Sequence, residues 1–311
     1  MLEAWRLEGV VAISEVPEGA TNRVYRVACA DRVVYLRVYK RFDRAMALRE
    51  HALIRHVQGR GLPAPLPIVA SGGESVVEYD GQLAALYEAA TGAQIEPGSA
   101  GLGHARAAGE ALASLHQATA GLPDVGYTPR TFGWDGAAWV ERLNVVERAI
   151  RARGEGHAGD AWALRRVAAQ REWLRDAGCS HRAVPTFPRQ VVHGDYHDAN
   201  LFFEADRVSG IIDWEQAAFL PRAYEVVRAC FFTFRLAPAL SQAFLAAYRS
   251  VSELSDAELA DGAASWGCNA DHHVWPLEEV YLHGNERARR FIPRAPFVPF
   301  AEAWLEVVGE G

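Results

Sequence analysis

The sequence predicts an α+β protein of two lobes: an antiparallel sheet with one helix, then a mainly helical part. Three observations predict it. The first ninety residues hold short runs rich in valine and tyrosine, each bounded by turn-forming residues. From residue 104 onward apolar residues recur at helical spacing. Between the two, residues 89–101 form a break in composition rich in Ala, Gly, Thr and Ser. At 311 residues the chain exceeds what one small core needs, so the lobes divide as 1–90 and 91–311.

In the first lobe, residues 10–13, 23–28 and 33–39 read as strands, with residues 18–22 breaking the first two. Asp43 is placed to cap a helix that reaches Gln58, where Gly59, Gly61, Pro63, Pro65 and Pro67 stop it. Residues 68–70, 75–79 and 82–87 read as further strands, with Asp80-Gly81 as a hairpin turn. In the second lobe the helical runs are 104–119, 134–153 and 161–177. An island of short strands follows, 201–204 and 208–212, introduced by Val191-Val192 and the loop 193–200. After Pro221 helices resume at 222–234, 239–250, 256–268, 272–290 and 299–308.

Composition narrows the function classes. Half of the residues are hydrophobic, 23% are charged, and the formal net charge is -7. That balance offers no basic surface for nucleic acid phosphates. No run approaches the roughly 18 apolar residues of a membrane span, and residues 1–18 carry acids where a signal peptide needs an apolar centre. Cys29, Cys179, Cys230 and Cys268 are far apart, which fits reduced thiols in a cytoplasmic protein. Lys40 is the single lysine, so the positive charge is almost all arginine.

The chemistry lies in His193-Gly194-Asp195-Tyr196-His197-Asp198-Ala199-Asn200 and in Ile211-Ile212-Asp213-Trp214-Glu215. Phosphoryl transfer needs a carboxylate to orient or deprotonate the attacking hydroxyl, and oxygen ligands for the magnesium on the phosphates. A rigid loop can present Asp195 and, five residues later, Asn200 into one cleft. The following hairpin can return Asp213, at the end of an apolar strand, to the same place.

This stretch resembles the catalytic loop of the aminoglycoside phosphotransferase and choline kinase-like family, with some likeness to homoserine-kinase-type members in residues 82–92 and 201–213. The resemblance implies a bilobal protein-kinase-like fold with ATP and Mg2+ between the lobes. It implies Asp195 as the catalytic base and Asn200 and Asp213 as magnesium ligands, with His193 bracing the loop. It also implies a phosphate loop at Gly19-Ala20-Thr21-Asn22, and a third strand carrying Arg37 where most kinases have lysine, paired with Glu50. A hinge at residues 86–92 would read adenine with the backbone at Glu88 and Ala90. The acceptor would be a hydroxyl of a small molecule: an aminoglycoside, an amino alcohol, homoserine, methylthioribose or a sugar.

Other readings compete for the same residues. His193-x-Asp195-x-His197-Asp198 has the outline of a metallohydrolase loop, with Asp271-His272-His273 as the source of further ligands. Adjacent histidines on a helix point to different faces, which favours the phosphoryl-transfer reading. His197, Asp198 and Glu215 are then loop supports or substrate contacts, and His272 and Trp275 are acceptor-side candidates. Trp266, Trp275, Tyr281 and Phe291 could form a cation-binding aromatic box, but at helical spacing they read first as core. A protein kinase would need a peptide platform, and only residues 214–220 separate Asp213 from Pro221. A pseudokinase is disfavoured by the presence of Asp195, Asn200 and Asp213 together.

Overall fold

The computed structural model describes residues 2–16, 22–40, 43–124, 126–127, 130, 132–153, 160–176, 180–182, 184–292 and 296–309. In chain order the first part comprises β1 (Val10–Val16), β2 (Arg23–Cys29), β3 (Val33–Val38), α1 (Arg44–Gln58), β4 (Pro67–Ile68), β5 (Val77–Tyr79) and β6 (Gln82–Glu88). The strands form one antiparallel sheet ordered β1-β2-β3-β6-β4, with β5 also on β6. Alternation along β3 sends Val34, Leu36 and Val38 into one small core with Val27, Ala84 and Leu86. Arg37 and Tyr39 therefore face the other way, towards α1.

Asp43 caps α1, its Oδ1 accepting the Met46 N–H at 2.8 Å. The buried stripe of α1 is Ala47, Glu50, His51, Ile54 and Val57, which brings Glu50 opposite Arg37. Two strands differ from the expectation. The run 68–70 is a strand only to Ile68, because the chain turns at Ser71-Gly72-Gly73, where the Ala70 N–H meets Glu74 O at 2.7 Å. The run 75–79 is a strand only from Val77, since Ser75 and Val76 are buried beneath α1.

The helical part comprises α2 (Leu102–Thr119), β7 (Gly133–Asp135), α3 (Gly136–Ala152), α4 (Ala161–Asp176), β8 (Ser180–Arg182), β9 (Arg189–Val192), β10 (Leu201–Glu204), β11 (Arg207–Ile211), β12 (Ala218–Pro221), α5 (Arg222–Phe234), α6 (Pro238–Val251), α7 (Asp256–Asp271), α8 (Trp275–Tyr281) and α9 (Phe300–Val308). The main core gathers α2, α5, α6, α7 and α9 around β9 to β12, and a second cluster joins α3, α4 and α8. The expected helix 272–290 is broken. His272 ends α7, Pro276 starts α8 within its first turn, and Gly284 at φ +70° turns the chain into a 3-10 segment, Glu286–Phe291. Among the described residues no helix is long and apolar enough to cross a membrane.

Candidate active site

The loop 193–200 hangs between two antiparallel ladders, β9 with β12 and β10 with β11. His193 is fully buried and fixes the loop from inside. Its Nδ1 accepts the Asp195 N–H at 3.2 Å, so the proton sits on Nε2, which faces Ile212 O at 3.0 Å. Burial lowers its pKa against the pull of Glu225 and Asp195, in keeping with a neutral ring. Both ring nitrogens of His193 are thus engaged with backbone groups. Gly194 has φ +81°, and a Cβ there would run into Gln216 O.

Beneath the loop lies Glu225 of α5, almost wholly buried. One oxygen accepts the His193 N–H at 3.1 Å and His116 Nε2 at 2.9 Å, and the other accepts the Gly194 N–H. Burial alone would raise this carboxyl, but the His116 and His193 interactions and the Gly194 N–H outweigh it and keep it below the usual range. His116 Nδ1 meets the Tyr248 hydroxyl at 2.8 Å, and the Tyr196 hydroxyl donates to Ala108 O at 2.9 Å. The loop is therefore pinned to α2, α5 and α6.

Asp195 and Asn200 meet directly. Asn200 Nδ2 donates to Asp195 O at 2.9 Å and to Asp195 Oδ2 at 3.1 Å, which leaves Oδ1 as the oxygen donor of Asn200. Asp195 Oδ1 accepts from Arg228 Nη2 in a charge-assisted contact. Burial pushes the Asp195 carboxyl up, but Arg228 and His197 outweigh it and hold it well below the carboxylate range. His197 lies 3.4 Å from Asp195 and 3.5 Å from Asp198. Burial would lower its pKa, yet the hydrogen bonds to these two acids raise it.

Asp213 returns to the same place, since the Ile212 N–H donates to Asn200 O at 3.0 Å. It adopts φ +64°, ψ +64°, unusual for a residue with a side chain, and its carboxylate stays 40% exposed beside Arg37. Arg37 reaches Asp213 at 2.9 Å, Glu50 at 2.9 Å and Glu215 at 2.5 Å. Burial disfavours the Arg37 charge, but these acids outweigh it and raise its pKa. Burial pushes Glu50 up to about 7 against Arg37. Glu215 also accepts from Asn22 Nδ2 at 2.6 Å, and Asn22 Oδ1 receives the Lys40 N–H at 3.1 Å. Gly19 and Thr21 lie outside the described residues.

The segment 86–93, which includes the expected hinge, runs along the β10–β11 hairpin. Glu88 N–H donates to Leu66 O at 3.0 Å, so that donor is held within the sheet. Ala90 follows the strand and packs beside Gly210, and Ala93 exchanges two backbone hydrogen bonds with Phe203. His272 and Trp275 sit further off. His272 stacks on Trp134 at 5.3 Å and receives Trp139 Nε1 on its carbonyl, bracing the end of α7. Trp275 is half-exposed and packs on His273, which packs on Phe232, the ring beneath the Arg228 guanidinium. Trp266 and Tyr281 are core residues in separate clusters.

Three site residues escaped the sequence reading: Arg228, Glu225 and His116. The signal for Glu225 and Arg228 was charge at i, i+3 among the alanines, valines and phenylalanines of α5; His116 had none.

The profile of the phosphotransferase enzyme family matches residues 12–260. The homoserine kinase of Mesorhizobium japonicum is 26% identical over 272 residues, covering 83% of this chain and 78% of that protein. That of Bradyrhizobium diazoefficiens is 32% identical over 235 residues, covering 68% of this chain and 64% of that protein. A microcompartment-associated aminopropanol kinase superposes with a TM-score of 0.61 at 17% identity, covering 99% of this chain and 95% of that one. At that identity the superposition speaks for the protein-kinase-like fold.

Proposed function

Because the chain belongs to the phosphotransferase enzyme family, we propose that it phosphorylates a hydroxyl of homoserine or a close analogue, using ATP with Mg2+. ATP-dependent transfer of phosphate to a small-molecule hydroxyl is its activity. The observation that supports ATP with Mg2+ is the meeting of Asp195, Asn200 and Asp213 with the Arg37–Glu50 pair. Homoserine stands first because the relatives just described are homoserine kinases.

Asp195 receives the acceptor hydroxyl. The acceptor oxygen forms a bond to the γ-phosphorus, the bond from that phosphorus to the β-phosphate oxygen breaks, ADP leaves with the electron pair, and the hydroxyl proton passes to Asp195. Arg228 and Asn200 hold the Asp195 carboxylate in a fixed orientation, which suits a loose transition state where orientation matters more than early proton removal. Arg37 offers its guanidinium to phosphate oxygens while Glu50 fixes its angle.

The donor set fits a small hard cation that arrives with the phosphates. Asn200 Oδ1 and the exposed Asp213 carboxylate are oxygen donors. No group of three or more His, Cys, Asp or Glu among the described residues forms a metal cage of its own. Magnesium bound there would neutralise phosphate charge. Only the turn Trp214–Gln216 and β12 separate Asp213 from α5, which supports a small-molecule acceptor over a peptide.

The test is initial-rate kinetics with ATP, Mg2+ and a panel of L-homoserine, 3-aminopropanol, choline and an aminoglycoside, wild type beside Asp195→Asn. Acceptor-dependent ADP release by wild type, reduced at least 10²-fold in the variant, is expected. Equal rates for the two proteins would remove Asp195 from the chemistry.

A further inference from the structure

The helix α1 is shared unevenly between the two parts of the molecule. The sheet has a small core of its own around Val34, Leu36 and Leu86. The larger apolar residues of α1, Leu53, Ile54 and Val57, belong instead to the main core, with residues of α2 and the β10–β11 hairpin. Between the sheet and α1 the apolar contact is slight: Tyr39, Ala47, Val76 and Ala85, with Leu83 and Tyr87 beside them.

Across this seam Arg37, on the sheet, has to meet Glu50, on the helix. One hydrogen bond joins them, Arg37 Nη1 to Glu50 Oε1 at 2.9 Å. Arg37 Nε and Glu50 Oε2 are buried without a hydrogen-bond partner among the described residues. A guanidinium and a carboxylate joined by two parallel bonds fix their mutual angle, whereas a pair joined by one bond pivots when its supports shift. The angle that Glu50 gives Arg37 therefore depends on where the sheet sits on α1.

Three polar side chains close the seam beside the pair. Tyr39 follows Arg37 by two residues, and its ring centre lies 5.4 Å from the Arg37 guanidinium. His51 follows Glu50 on α1. Tyr87 lies on β6, one residue before Glu88. The Tyr87 hydroxyl lies 2.7 Å from the Tyr39 hydroxyl and 2.8 Å from His51 Nε2, and the third side, Tyr39 Oη to His51 Nε2, is 3.2 Å. Burial raises both phenols and lowers His51 to about 4, so the three meet as neutral groups. Contacts among alanines and a valine tolerate a small slide. This triangle does not, because any displacement leaves a buried polar atom unpaired.

We propose that Tyr87 is a positioning residue for the nucleotide phosphates: with Tyr39 and His51 it sets the sheet on α1 so that Arg37 meets Glu50 at the angle the phosphates require. The inference rests on the proposed placement of the phosphates at Arg37.

The experiment is a double-mutant cycle read by calorimetric titration with an ATP analogue and Mg2+: wild type, Tyr87→Phe, Arg37→Met and the double variant. Tyr87→Phe keeps the ring and removes the hydroxyl that Tyr39 and His51 share. It is expected to raise the Kd at least threefold. In the Arg37→Met background the same change is expected to have no further effect, since the residue it acts through is gone. A general loss of structure, or a loss of contact with adenine, would persist in that background. Tyr39→Phe removes another corner of the triangle while keeping the ring beside Arg37. It is expected to raise the Kd likewise, and takes the place of Tyr87→Phe in the cycle if that variant does not fold. A wild-type Kd in Tyr87→Phe and Tyr39→Phe, beside a raised Kd in Arg37→Met, overturns the positioning role and leaves the phosphates at Arg37. An equal rise with and without Arg37 overturns it too. A wild-type Kd in Arg37→Met overturns the placement of the phosphates and the inference together.

Discussion

His116 Nε2 lies 2.9 Å from Glu225 Oε2, and the same carboxylate receives the backbone N–H groups of His193 and Gly194. A buried acid on α5 thus holds the loop that carries Asp195, and a histidine on α2 holds the acid. Removing one partner of such a network strands the other without water. Glu225→Ala is expected to lower stability by about 3–5 kcal/mol, and Glu225→Gln by less, because an amide still accepts one backbone N–H. Urea denaturation of the two variants checks the order. Equal losses would show that the charge, rather than the acceptor geometry, holds the loop.

Gly194 tests the same loop from its backbone. Its φ of +81° is costly for any side chain, and a Cβ would strike the Gln216 carbonyl, which cannot swing away as a side chain could. Gly194→Ala is expected to cut kcat at least tenfold with nucleotide affinity little changed, since Arg37 and Glu50 are on other elements. Kinetics beside calorimetric titration with an ATP analogue separates the two effects. A variant with wild-type kcat would mean that the loop tolerates displacement.

Arg37 is hydrogen-bonded to Glu50, Asp213 and Glu215 at once. Arg37→Met leaves three acids facing one another and, with the phosphates placed as proposed, takes a charged donor from them. Charge-assisted hydrogen bonds contribute about 1.5–3 kcal/mol, so the KM for ATP should rise roughly 10–100-fold. Arg37→Lys should recover part of this loss, a point charge replacing a fork. An unchanged KM for ATP in Arg37→Met would place the phosphates elsewhere.

What could be read in advance follows from the range over which each signal acts. Asp195 and Asn200 are separated by a short loop and Asp213 by one hairpin, so local spacing alone brings them near each other. Arg37 and Glu50 meet because strand alternation and helix phase are both visible in a sequence. Glu225 and Arg228 were missed because an acid and a base three residues apart on a helix look like a solvated pair. The role of Glu225 comes from His116, 109 residues earlier, and from the loop above it, and that of Arg228 from Asp195. The pairing of β9 with β12 is equally non-local. Helix 272–290 was misread for another reason: apolar spacing was weighted above Pro276 and Gly284, the residues that restart and end α8 there.

His51 makes the last prediction, a dependence of stability on pH. It is fully buried under the sheet, with Nδ1 at 2.8 Å from Ser75 Oγ and Nε2 at 2.8 Å from Tyr87 Oη and 3.2 Å from Tyr39 Oη. Burial, reinforced by Arg55 and Arg37, lowers its pKa from 6.5 to about 4. Between these two values the unfolded chain binds a proton that the folded chain refuses. Stability therefore rises with pH across this window and is lost as pH falls from about 6.5 towards 4, by up to about 1.4 kcal/mol per pH unit. Asp271 acts in the opposite sense, because burial raises it from 3.8 to about 7, so the wild-type slope alone does not isolate His51. Comparison with His51→Gln cancels Asp271 and every other group. Chemical denaturation from pH 4.5 to 7.5 should show the variant less stable than wild type at neutral pH, with the gap narrowing steadily on acidification. Parallel profiles would mean that His51 takes up its proton in the folded protein as readily as in the unfolded chain.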